Sequence, residues 1–167
     1  HETYKDKSNN WISPDEILNI EGKKFLIKDK KQQVKVGPSE SMSKSKRNII
    51  DPEKIINNFG ADSARLFILS DSPPEKDVQW SDEGIVAAYK FIQKIWNLNY
   101  LVLGEMSKNH PKDSSNNLDK VTNQFLNNVL SNLDNFSYNK IIANFYEIYS
   151  ILNKELKNKY TKENLIK

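Results

Sequence analysis

Beyond position 81 the apolar residues recur every three or four places. Ile85, Tyr89, Ile92, Trp96, Tyr100 and Leu103 form one stripe, and Phe91, Ile95, Leu98 and Val102 form a second. This spacing predicts one long helix, with Ser81 as its cap and Asp82 and Glu83 in the first turn. A helix apolar on two faces belongs inside a bundle. Its aromatics could instead stack on RNA bases, but the helical spacing favours core packing. Val121, Phe125, Val129 and Leu133 mark a second helix. Ile141, Ile142, Phe145, Ile148, Tyr149, Leu152 and Leu156 mark a third, with Ser137 as its cap. The stretch from Gly104 to Asn117 is rich in Ser, Asn, Lys and Pro and reads as a linker. Three long helices with short connections predict an antiparallel bundle, incomplete because the last helix has no following partner.

The first half has shorter periods. His1 to Tyr4 reads as the end of a strand and Lys5 to Asn10 as a turn. Ser13-Pro14-Asp15-Glu16 matches a capping box with proline at the first helical position, predicting a short helical turn through Leu18. Lys24–Lys28 and Gln33–Val36 read as two strands of a hairpin joined by Asp29–Gln32. Asp51-Pro52-Glu53 should start a helix whose apolar face is Ile55, Ile56 and Phe59, stopped by Gly60. Asp62 should cap another through about Leu69, with Leu66, Phe67 and Leu69 turned inward and Arg65 placed to pair with Asp62. Ser72-Pro73-Pro74 ends it, and Asp77 to Trp80 reads as extended. The fold class is therefore mainly α with a small β part.

Composition narrows the chemistry. The 167 residues carry a formal net charge of +3, too small to prove nucleic-acid binding. Its distribution says more: between Gly22 and Arg47 nine Lys or Arg stand against only Asp29 and Glu40. Such an excess attracts ATP or an RNA backbone, although before Pro38 a solubilising basic face is an equal reading. There is no Cys, which excludes disulfides and thiolate zinc sites. His1 and His110 are isolated, so no metal site is expected. No stretch approaches about eighteen apolar residues and no signal peptide is evident, which predicts a cytoplasmic setting with no membrane partner. The chain starts at His1 without Met and stops in a charged helical stretch, which reads as a piece of a longer protein.

The strongest chemical feature is the loop Ser41-Met42-Ser43-Lys44-Ser45-Lys46-Arg47-Asn48, approached through Gly37 and Pro38. Three cations in four positions, with no carboxylate among them, cannot easily bury themselves. Serine hydroxyls and free backbone N–H groups can donate to phosphate oxygens while lysine supplies point charge, so the loop suits a polyanion clamp. A solvated surface turn is the plain alternative.

The residues that follow raise the specificity. Met42-Ser43-Lys44-Ser45-Lys46-Arg47-Asn48, then Asp51-Pro52, then Phe59-Gly60-Ala61-Asp62-Ser63-Ala64-Arg65 resemble the second signature of the class I aminoacyl-tRNA synthetases. The run Pro73 to Gly84 is similar to the leucyl branch of bacterial type. The likeness extends from His1 to about Leu152. It departs at Ser41, where the family usually carries Lys.

The resemblance implies that residues 1–47 are the end of a class I nucleotide-binding catalytic domain, with an insertion hairpin and the ATP loop. Residues 48–80 correspond to a connecting module and residues 81–167 to a truncated anticodon-binding bundle. It implies Lys44 as the catalytic residue and Met42, Ser43, Lys44 and Ser45 as the ATP-binding set, with ATP and Mg2+ as substrate. Lys46 and Arg47 could touch phosphate or tRNA. The implied partners are leucine, ATP and tRNA(Leu), in an intact enzyme that is a monomer. The implied reaction is ATP-dependent formation of leucyl-adenylate and its transfer to tRNA. The adenine-binding signature with two histidines is absent from these residues, so the chain alone is expected to be inactive. Two alternatives stand: another class I synthetase, for valine, isoleucine or methionine, and a non-catalytic RNA-binding module made of a basic ribbon and a helical bundle.

Overall fold

In a computed structural model, residues 1–106 and 116–156 are described. They form two compact units, one of residues 1–55 with 79–81, the other of residues 56–78 and the chain from Asp82 onward. The whole is mainly helical with two small antiparallel sheets, as the sequence predicts.

The first unit holds both sheets. Strand β1, Glu2–Lys5, pairs antiparallel with β4, Lys35–Ser39. Their register slips between Glu2↔Ser39 and Tyr4↔Val36, where Gly37 and Pro38 lie against Thr3. The bulge has a cause: a Cβ on Gly37 would stand 2.5 Å from Thr3 Oγ1, and that hydroxyl donates to the Pro38 carbonyl at 3.0 Å. Beyond β1 the chain turns at Asp6–Asn10 and returns so that the Ile12 N–H reaches the Tyr4 carbonyl at 2.9 Å.

The capping box forms, but only a 3₁₀ turn, Pro14–Glu16, follows it. Glu16 reaches back to the Ser13 N–H at 3.2 Å, while the Glu16 N–H is taken by the Ser13 carbonyl at 2.9 Å. The helical turn expected through Leu18 gives way to strand β2, Ile17–Ile20, paired with β3, Lys23–Leu26. Glu21 (φ 49°) and Gly22 (φ 80°) make the two-residue connection. Positive φ at both positions suits the primed turn that matches strand twist. The predicted hairpin of Lys24–Lys28 with Gln33–Val36 survives only as a fragment. One bridge joins Phe25 to Gln33, and the Val34 N–H reaches the Lys24 carbonyl at 2.8 Å. The competing pairings won because β2–β3 needs a shorter loop closure and because Val36 completes the ladder with β1. Tyr4, Ile12 and Val34 form the buried core, with Ile17 and Leu26 packed against it.

The second unit is the helical one. Helix α1, Pro52–Phe59, whose first four residues are counted with the first unit, begins as predicted, with Asp51 Oδ1 accepting the Glu53 N–H at 3.0 Å. Gly60, at φ 81°, takes its N–H to the Ile56 carbonyl and then serves as N-cap of α2, Ala61–Asp71. Asp62 therefore sits inside the first turn of α2 rather than capping it. Phe67 is buried and Leu66 half-buried, but Leu69 stays exposed. Helices α3, Asp82–Met106, α4, Asn116–Asp134, and α5, Tyr138–Glu155, complete the unit. The expected linker is shorter at both ends, since Gly104–Met106 and Asn116–Asn117 are helical; its middle lies outside the described residues.

Helix α2 packs on α3 and α5, and α4 pairs with α5. The α4–α5 corner closes by Ser137 N–H to Asn132 carbonyl at 2.8 Å and Phe136 N–H to Leu133 carbonyl at 3.0 Å. With Phe136 at φ 51° this is a Schellman end. Ser137 is the N-cap of α5, but through its backbone carbonyl, without a side-chain cap bond. The buried stripe of α3 is Ile85, Ala88, Phe91 and Leu98. Phe91 stacks on Tyr146 with ring centres 3.8 Å apart and meets the edge of Tyr149 at 5.6 Å. Burying such a side chain is worth about 1.5–3 kcal/mol over leaving it in water. Of the first predicted stripe, Ile85 is buried and Ile92 half-buried while Trp96 and Tyr100 are 56% and 67% exposed. Of the second, Phe91 and Leu98 are buried and Ile95 is exposed, so each predicted stripe is covered only in part among the described residues.

Candidate phosphate-binding loop

Strand β4 delivers the chain at Glu40 to the start of the basic loop, and α1 takes it away at Pro52. Between them the backbone folds into a tight turn, with the Arg47 N–H on the Lys44 carbonyl at 3.2 Å and Arg47 itself at φ 53°. The Ser43 hydroxyl accepts the Lys46 N–H at 3.3 Å and lies 3.2 Å from the Ser45 hydroxyl.

The three cations divide into two kinds. Lys46 forms an ion pair with Glu40. Arg47 pairs with Glu16 at 3.0 Å and donates to the Trp11 carbonyl at 3.3 Å. The expectation that these cations lack nearby carboxylates therefore fails for two of them: Glu40 lies six positions before Lys46, and Glu16 is brought near by folding. Lys44 is different. Its side chain is exposed and meets no hydrogen-bond or ion-pair partner among the described residues. The backbone N–H groups of Met42, Lys44 and Ser45 are likewise without an internal acceptor among the described residues. That of Ser43 is engaged, given to Asn48 Oδ1 at 2.8 Å. Asn48 is fully buried, the one member of the loop with no exposed surface.

The turn thus presents three free N–H donors, one ammonium and the exposed hydroxyls of Ser41 and Ser45. It presents no uncompensated carboxylate, because the acids nearest to it are already matched by Lys46 and Arg47. A donor-rich, acceptor-poor turn of this kind fits the oxygens of a polyphosphate. No group of three or more His, Cys, Asp or Glu among the described residues is arranged to hold a metal ion.

Around the loop, the ribbon of lysines is mostly solvated. Lys23, Lys28, Lys30, Lys31 and Lys35 are exposed and without ion pairs among the described residues. Lys24 is the exception, bonded to Glu2 at 2.7 Å and to the Tyr4 hydroxyl at 2.9 Å, while Tyr4 donates to Glu2 at 2.6 Å. The bond from Lys24, then that from Tyr4, holds the Glu2 carboxyl below its usual range. Burial raises the Tyr4 phenol, helped by its bond to Glu2. Asp62 and Arg65 pair at 2.8 Å, both well exposed, as their spacing predicts. What sequence reasoning did not reach is Asn48 as the buried tie of the loop, and Glu16 as a partner for Arg47. The only sequence signal was a carboxamide placed directly after a run of cations.

The loop lies in a segment that matches known proteins. The family model for class I tRNA synthetases (I, L, M and V) matches residues 33–81, which contain the whole loop. The leucine-tRNA ligase of Orientia tsutsugamushi is 41% identical over 158 residues, 92% of this chain and 18% of that protein. That of Bartonella henselae is 42% identical over 159 residues, 91% of this chain and 18% of that protein. That of Rickettsia bellii is 36% identical over 156 residues, with 93% and 18% covered. This chain thus spans about a fifth of the length of such relatives. Among solved structures, a LeuRS of Agrobacterium radiobacter in a ternary complex with tRNA and LeuAMS matches with a TM-score of 0.64. At 19% identity, covering 74% of this chain and 17% of that one, it speaks for the fold alone. Sequence likeness over nine-tenths of its length, together with the family match over residues 33–81, shows that the chain belongs to the class I tRNA synthetases, in their bacterial leucine branch.

Proposed function

We propose that this chain supplies the phosphate-binding loop and part of the tRNA-binding helical bundle of an ATP-dependent leucine-tRNA ligase. The observation that carries the reading is the separation of the loop's cations: Lys46 and Arg47 are spent on Glu40 and Glu16, and Lys44 alone stands free. In the reaction, a leucine carboxylate oxygen attacks the α-phosphorus of ATP and the bond to the bridging oxygen of pyrophosphate breaks. A hydroxyl at the tRNA 3′ end then attacks the carbonyl carbon of the adenylate, and AMP departs. Magnesium travels with the nucleotide phosphates as part of the substrate.

Lys44 meets the negative charge that builds on the departing phosphates. The Met42 N–H, the Ser43 hydroxyl and the Ser45 N–H and hydroxyl orient the nucleotide. Positioning and charge compensation supply the catalysis, since no covalent step on the protein is needed. Lys46 and Arg47 act as struts. Residues 1–47 then belong to the catalytic domain, 48–80 to a connecting module and 81–167 to the bundle that receives tRNA(Leu) on its anticodon side, in a monomeric enzyme.

The test is leucine-dependent ATP–pyrophosphate exchange and charging of tRNA(Leu) by the full-length ligase carrying this segment. Exchange driven by valine, isoleucine or methionine in place of leucine would move the assignment to a sister enzyme. RNA binding without any exchange would move it to a non-catalytic module. The 167-residue chain by itself is expected to give no exchange.

A further inference from the structure

We propose that Asn48 is a positioning residue that holds Lys44 in register for the phosphates; the inference rests on the reading of the loop given above. Asn48 has no solvent-exposed surface. Its side-chain oxygen accepts the Ser43 N–H at 2.8 Å. Its amide nitrogen faces the carbonyls of His1, Glu40 and Ser41, each at 3.3 Å. Reversing the amide would set its oxygen against three carbonyls and its NH2 against an N–H, so the orientation is fixed by its surroundings.

One carboxamide therefore ties together three places: the root of the loop at Ser41, the residue immediately before Lys44, and the end of the β1–β4 ladder. At that end the Glu40 N–H meets the His1 carbonyl at 3.0 Å. On the far side, the Arg47 N–H on the Lys44 carbonyl and the ion pairs of Lys46 and Arg47 fix the exit. Lys44 and Ser45 form the crest of a closed six-residue ring, Ser43 to Asn48, moored through a group that never touches the ligand. No other side chain of this size carries both an acceptor and a two-hydrogen donor: aspartate lacks the donors and alanine lacks both. With the amide gone, the Ser43 N–H and three carbonyls lose their common partner and the crest loses its height. A displacement of about 1 Å at a reacting group can cost about 10²-fold in rate.

The experiment is a double-mutant cycle in the full-length ligase, with Asn48→Ala, Asn48→Asp, Lys44→Ala and the pair Lys44→Ala/Asn48→Ala. It is read by pyrophosphate exchange alongside thermal melting. Both Asn48 variants are expected to lower kcat about 10- to 100-fold with the KM for leucine unchanged. The double variant should be no slower than Lys44→Ala alone, since Asn48 acts only through that lysine. Additive losses would assign Asn48 to general stability and overturn the proposal. So would native kcat in a folded Asn48 variant, or failure of both to fold, the second being matched in volume. If Lys44→Ala itself leaves exchange intact, the reading of the loop falls and the proposal with it. Impaired Lys44→Ala beside intact Asn48 variants sinks the proposal alone.

Discussion

Replacing Lys44 by alanine in the full-length ligase isolates the central physical claim, because the structure makes its cost to folding nearly nil. The side chain is exposed and breaks no bond to the described residues when removed, so the stability read by thermal melting should stay within the range of an ordinary surface change, about 0.5 kcal/mol. The chemical cost can be bounded in two ways. A unit charge about 4 Å from a phosphate oxygen, at an effective dielectric of about 20, is worth about 4 kcal/mol. Only the part that grows between ground and transition state counts towards rate. Deleting one preorganised donor to a developing anion costs about 2.7–4 kcal/mol elsewhere, which at about 1.36 kcal/mol per decade is about 10²–10³ in rate. Adenylate formation at saturating ATP, followed by leucine-dependent pyrophosphate exchange, should fall by that factor. Lys46→Ala and Arg47→Ala are the internal comparison. Each strands a carboxylate, Glu40 or Glu16, so each should lower stability by up to about 1 kcal/mol. Each should slow chemistry by less than about tenfold, the ~1.4 kcal/mol equivalent of a strut rather than a ligand. Near-normal exchange in Lys44→Ala, or an equal loss in Lys46→Ala, would refute the division of roles.

Ser41→Lys adds a cation at the mouth of the loop. With Lys46 and Arg47 already engaged it should lower the KM for ATP several-fold, and an unchanged KM would show that the charge is supplied elsewhere. Gly37→Ala pushes a methyl to 2.5 Å from the hydrogen-bonded Thr3 hydroxyl. It should destabilise the first unit by about 1–3 kcal/mol in a urea titration, and no shift in midpoint would mean that the β1–β4 bulge absorbs the methyl. Phe91→Ala removes a nearly fully buried ring stacked on Tyr146 and should cost the helical unit about 3–5 kcal/mol, measured by far-ultraviolet circular dichroism; a loss below about 1 kcal/mol would argue against that packing. The depressed Glu2 carboxyl contributes stability that is present above its ordinary value of 4.5 and lost as pH falls through its lower folded value. Lys24 and Tyr4 have the opposite sign. Burial, the largest influence on Lys24, pulls it down but is outweighed by the bonds to Glu2 and Tyr4; Tyr4 is raised first by burial. Both lose their contribution only as pH rises past about 10. Glu2→Gln should therefore flatten the acid limb of the stability curve, and parallel curves for the two proteins would dispose of the argument.

The helices and the position of the candidate loop were legible in the residues themselves. Apolar spacing of three and four places marked α3, α4 and α5, because an amphipathic helix writes its period directly into the chain. Asp51-Pro52-Glu53 marked the start of α1, because Asp and Pro act there through local backbone geometry alone. The cluster around Lys44 pointed to a candidate polyanion site by residue type and order.

What folding alone decided were the partnerships between distant positions. Strand pairing went to β1 with β4 and β2 with β3, since any short apolar run can pair with several others and loop closure chooses among them. The burial of Ile85, Ala88, Phe91 and Leu98, with Trp96 and Tyr100 exposed, follows from which neighbours arrive rather than from period. At the loop, Glu40 and Glu16 took Lys46 and Arg47, and Asn48 became a buried tie to His1 and Glu40. Those contacts span up to 47 positions, and they turned three equivalent cations on paper into one free charge and two anchors. Charge and type are local properties that a sequence states outright; which charge remains unpaired is a property of the folded whole.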